Sequence, residues 1–149
     1  MGVWRMLAFW FVLWQAASAH PLVVVTWSEG GINPREERLA FFADGRVMGE
    51  VRSLIPGQAH TWFGDLDGEG QKTLAGLFRE ANQAHWPAKL NHASGAQVGF
   101  TVTLRWWSGG AVREVSGFTF GHPPLPESFT RLVQALQELA ERARNRSAP

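Results

Sequence analysis

The chain has 149 residues, room for one domain of ordinary size, and a globular balance of 45% hydrophobic to 18% charged residues. It has no cysteine, which excludes a disulfide framework, a Cys-ligated metal, a thiol nucleophile and a lipid-attachment cysteine. Its 14 Lys and Arg against 13 Asp and Glu fall to 13 against 13 once Arg5 is set aside with the leader described next, so a neutral domain gives no electrostatic reason for nucleic acid or an anionic membrane as partner.

The leader comes first in chain order. Arg5 precedes an unbroken apolar run over residues 6–14 (MLAFWFVLW), and Ala17-Ser18-Ala19 supplies the small-x-small pattern that a signal peptidase accepts. A bilayer span needs roughly 20 apolar residues, and Gln15, Ser18, His20 and Pro21 interrupt this one early. The reading is a signal peptide over 1–19, one domain over 20–146 and a frayed tail over 147–149. Membrane contact is then transient, through the leader, and the location is secreted or periplasmic. The alternative is a leader retained as an anchor.

Residues 22–28 (LVVVTWS) read as a strand buried on both faces. Glu29-Gly30-Gly31 breaks it and Asn33-Pro34 begins a turn. Residues 38–42 resume as a strand, Asp44-Gly45 signals a two-residue hairpin, and residues 46–52 return. Pro56-Gly57 marks another turn before a further strand over 59–66. The period then changes. Asp67 is placed to cap a helix whose apolar face is Leu74, Leu77, Phe78 and Ala81, ended by Pro87. Residues 87–97 read as a loop.

Residues 98–106 alternate most clearly, with Val98, Phe100, Val102, Leu104 and Trp106 on one face. Ser108-Gly109-Gly110 turns the chain back into a strand over 112–120, and three prolines make 121–126 an extended crossing. Phe129, Leu132, Val133, Leu136, Leu139 and Ala140 mark a last helix. The order β-β-β-(β)-α-β-β-α, with two singly striped helices, predicts an α+β two-layer sandwich with both helices packed on a mainly antiparallel sheet.

Motifs that carry catalysis are missing. His20, His60, His85, His92 and His122 show no HExxH or i, i+4 pairing, the serines lie outside GxSxG, and Gly30-Gly31 and Gly109-Gly110 lack phosphate-loop spacing. Asp65, Asp67 and Glu69 lack the spaced glutamate of a calcium loop. The expectation is no enzyme, no cofactor and no metal. One exception is kept open: cleavage after Ala19 would make His20 the N-terminus, an amine and imidazole chelate suited to copper if a second histidine completed it. Trp106-Trp107 puts one tryptophan on each sheet face, and a helix is expected to cover the outward one.

The run from the first strand through Ser28-Glu29-Gly30-Gly31 to residues 38–42 and Asp44-Gly45-Arg46-Val47 resembles the opening of the emfourin family. Leu74-x-x-Leu77-Phe78, the strand over 100–104, Ser108-Gly109-Gly110 and Leu125-Pro126 before Leu132 and Leu136 continue the similarity over 22–141. The resemblance implies a compact domain that binds thermolysin-like metallopeptidases and blocks their active site. Partner-binding residues are then expected at Ser28, Glu29, Gly30, Gly31, Ile32 and Asn33. Ile32-Asn33-Pro34 departs from the family in being stiffer, and so does the export signal. The alternative to inhibition is a cell-envelope interaction module.

Overall fold

A computed structural model describes residues 20–30, 34–53, 58–93 and 99–147. The leader and Gly31, Ile32 and Asn33 of the expected binding loop lie outside them. Six strands run in chain order as β1 (Val23–Glu29), β2 (Arg35–Phe41), β3 (Arg46–Ser53), β4 (Ala59–Asp65), β5 (Phe100–Ser108) and β6 (Ala111–Phe118). Helix α1 (Gly68–Gln83) follows β4, and α2 (Glu127–Ser147) closes the chain. This is the α+β architecture and element order that the sequence predicts.

All strand pairs are antiparallel, in one sheet of order β4-β3-β2-β1-β5-β6. The first four strands form a meander. β5 joins it by pairing with β1, Val23 opposite Trp106 and Glu29 opposite Phe100, so β1 sits inside the sheet with a strand on each side. Period-two alternation sends Val23, Val25, Leu39, Phe41, Val47, Val102, Leu104, Trp106 and Val115 to one face, where all are buried. Both helices cover that face. α2 contributes Phe129, Leu132, Val133, Leu136, Leu139, Ala140 and Ala143 to the core, and α1 contributes Leu74 and Ala81. Trp106, fully buried, donates its indole N–H to Asn82 of α1 at 2.9 Å, so the large ring enters the core without an orphan donor. Trp86 stands edge-on to both Trp106 and Phe129 and extends the aromatic cluster to α2.

Among the described residues no helix lies on the opposite face. Val24, Thr26, Arg38, Met48, Glu50 and Thr103 are half-buried there, which corrects the reading of residues 22–28 as a strand covered on both faces. Asp44-Gly45 does make a hairpin, but with a three-residue loop. Phe42 N–H bonds to Arg46 O at 2.9 Å and Gly45 N–H to Phe42 O at 3.1 Å, and Gly45 takes φ +92°, the geometry of a type I turn closed by a glycine bulge. Asp67 caps α1 as expected, its carboxylate accepting from Gly70 N–H at 2.7 Å. α2 passes so close to β4 that a Cβ on Gly64 would lie 2.7 Å from the Ala143 carbonyl oxygen. The helix also runs through Ser147, expected in the tail, whose hydroxyl accepts from Asp65 N–H at 3.2 Å.

The segment expected as a loop over 87–97 has a structural task. Leu90 N–H bonds to Ser116 O at 2.8 Å and Ser116 N–H to Ala88 O at 2.9 Å, a short parallel bridge on the outer side of β6. Asn91 continues it with its side chain: its amide donates to Phe118 O at 2.8 Å and its carbonyl accepts from Phe118 N–H at 2.7 Å. A sheet edge that would present bare peptide groups is thereby covered over its C-terminal half.

Candidate functional site

Ser28 and Glu29 end β1, the strand braced by neighbours on both sides. Ser28 stands between Glu36 and Thr101 on the uncovered face and is exposed; Glu29 stands between Arg35 and Phe100 on the helix face and is half-buried. Gly30 follows, exposed, and a Cβ added to it would meet nothing within 4 Å. Three of the expected binding residues are therefore adjacent at a rigidly held sheet end.

Two aromatic side chains that sequence reasoning placed elsewhere lie at this same end. Phe100 continues the row of Val102 and Leu104, which led to its assignment to the buried face. It is 38% exposed, in the end row of β5, whereas Val102 one row inward is buried. Phe120 lies just past β6 and is 63% exposed, with its ring 3.0 Å from where a Gly99 Cβ would be. Thr119 ties the two neighbourhoods together: its hydroxyl accepts from Phe100 N–H at 3.0 Å, and its own N–H donates to Phe100 O at 2.9 Å. Phe100 differs from Val102 in its place at the end of the strand, and no residue pattern within the strand carries that information. The charged residues of β2 beside this end neutralise each other, Arg38 with Glu36 at 3.1 Å and Arg35 with Glu37 at 3.9 Å.

The uncovered face forms a shallow hollow of about 290 Å³ with Val24, Ala40 and Met48 in its floor and Arg38, Arg105 and Trp107 among its walls. Arg105 is fixed by two bonds to Glu114 Oε2, at 2.8 and 2.6 Å. Trp107 is the tryptophan that points away from the core. No helix covers it. The His20 imidazole stacks on it instead, ring centres 5.1 Å apart at 23°.

The remaining chemistry is sparse. His20 Nδ1 lies 3.1 Å from Pro21 O. His60 is on β4 and His92 pairs with His122 beyond the far end of β6, so none of these three stands beside His20. Among the described residues no group of three His, Asp or Glu converges to hold a metal, and no helix is long and apolar enough to cross a membrane. Asp44 has its pKa lowered from the ordinary 3.8, chiefly because its carboxylate accepts the Arg46 backbone N–H, with the Arg46 guanidinium adding to the effect. That pair serves the hairpin and lies at the opposite end of the sheet from Glu29. No family model, curated protein or solved structure matches the chain.

Proposed function

We propose that the chain is an exported, secreted or periplasmic protein-binding domain of emfourin-like character, acting by contact with a protein partner rather than by catalysis. The partner class that the resemblance implies is a thermolysin-like metallopeptidase. The observation that supports a binding role is the meeting of exposed Ser28 and Gly30 and half-buried Glu29 with exposed Phe100 and Phe120 at one end of the sheet. Exposed aromatics beside polar groups are the usual composition of an interface anchor. A strand hydrogen-bonded on both sides presents that anchor with little conformational entropy left to lose. In this reading Glu29 is the carboxylate that approaches the peptidase's catalytic zinc.

The test is titration of the chain without residues 1–19 into a thermolysin-like peptidase, reading peptide hydrolysis. Stoichiometric loss of activity is expected, weakened at least tenfold by Phe100→Ala and by Gly30→Arg. A complex that forms without loss of activity would favour the cell-envelope interaction module. Absence of both complex and inhibition would sink the peptidase reading.

A further inference from the structure

The two edges of the sheet are treated differently. On β6 the outward peptide groups of Ser116 and Phe118 are taken by Ala88, Leu90 and Asn91. β4, the other edge, has no such strap among the described residues. Its inward groups are identified by Ser53 N–H bonding to Gln58 O and Leu66 N–H bonding to Gly45 O, at 2.9 and 2.8 Å. Stepping by two between them, His60, Trp62 and Gly64 face β3, and Ala59, Thr61, Phe63 and Asp65 turn their N–H and C=O groups outward. Ser147 takes the Asp65 N–H. Among the described residues nothing bonds to the outward groups of Ala59, Thr61 and Phe63.

Proteins blunt a free edge with lysine, proline, a bulge or a cover. β4 (AHTWFGD) has no lysine, arginine or proline, and its one carboxylate sits at the end that α2 already closes. At the end of the open stretch Phe63 is 71% exposed, the most exposed large apolar side chain among the described residues.

We propose that β4 pairs antiparallel, across a two-fold axis at Thr61, with β4 of a second copy of this chain. That register places Thr61 against Thr61 of the second copy, and Ala59 against its Phe63. It uses the three residues with open outward groups and stops before the position that Ser147 occupies. The bare phenyl ring then lies over an alanine methyl, large against small, and no like charges face each other. His60 meets Trp62 of the other copy on the helix face. Gly64, where α2 crosses, falls opposite Gln58 of the other copy, so the two helices leave the joint at opposite ends. A second copy is favoured over an unrelated strand because this register is self-complementary in both hydrogen-bonding parity and side-chain size. So short a joint is below the size of a permanent interface, and dissociation on the order of 10–100 μM is expected.

Sedimentation equilibrium of the leaderless chain between micromolar and high-micromolar concentration tests this. A monomer–dimer equilibrium is expected. Thr61→Pro deletes one outward N–H and leaves the β3 ladder intact, and Phe63→Lys alters only an exposed side chain. Each is expected to weaken association at least tenfold while circular dichroism stays that of the wild type. Should Thr61→Pro fail to fold, Phe63→Lys decides alone. Wild-type chain that remains monomeric throughout, or a dimer that survives the folded variants, would overturn the proposal. The peptidase titration reads the far corner of the sheet, so neither result depends on the other.

Discussion

Replacing Asn91 by alanine is the most informative test of how the β6 edge is held. Asn91 is 4% exposed and both halves of its amide are engaged with the Phe118 backbone, at 2.8 and 2.7 Å. A hydrogen bond contributes about 0.5–1.5 kcal/mol net, and a peptide group left unpaired in a buried site costs about 1–3 kcal/mol. Phe118 is half-buried, so water reaches part of the gap, and the expected loss is about 2–4 kcal/mol. Urea unfolding, with an unchanged dependence on denaturant, reads it directly. Asn91→Asp refines the test. The aspartate keeps an acceptor for Phe118 N–H but presents an oxygen to Phe118 O where a donor stood. Burial and that opposing carbonyl raise the folded-state pKa above the ordinary 3.9. The protonated carboxyl donates again, so relative stability is highest below the unfolded pKa and falls as pH rises through the folded one. The deficit against wild type should therefore shrink on moving from pH 7 to pH 4. A loss below about 0.5 kcal/mol for Asn91→Ala, or a pH-independent deficit for Asn91→Asp, would refute the idea that this side chain stands in for a strand.

Two further outcomes follow from local geometry. Gly64→Ala should destabilise by about 1–3 kcal/mol, since its new methyl must displace the Ala143 backbone, whereas Gly76→Ala in α1, with nothing within 4 Å of the added Cβ, should stabilise by up to about 1 kcal/mol; thermal unfolding compares them. Asp44 should titrate below 3.8 by NMR, and because its folded pKa is the lowered one, its stabilisation is present above the unfolded value and lost as pH falls through the folded value, so wild type and Asp44→Asn should converge in stability in acid.

The strands and helices were legible because they obey a period. Val102, Leu104 and Trp106 alternate and are buried, and the α2 residues from Phe129 to Ala140 recur at helical spacing and fill the core. What escaped depends on neighbours distant in sequence. Val24 resembles Val23 and Val25 in chemistry, yet no second layer among the described residues lies on its face. Phe100 keeps the rhythm of its strand but lies in its end row and is part exposed. Residues 88–91 pair through one bridge and one side-chain amide, too short to repeat. At the candidate site Ser28, Glu29 and Gly30 could be read from a break in a strand, whereas Phe100 and Phe120 become relevant only once β5 lies beside β1.

That late pairing governs the order in which the protein can be made. β2 to β4 fold back on their immediate predecessors, but Val23 must wait for Trp106 and Val25 for Leu104. A ribosome delivers the first partner long before the second, so until residues 100–108 emerge β1 is a raw margin of the growing sheet. Such distant closures slow folding and leave sticky intermediates. A chain interrupted before residue 100 would retain a meander whose most apolar strand has lost one flank, making it prey for proteolysis or clumping.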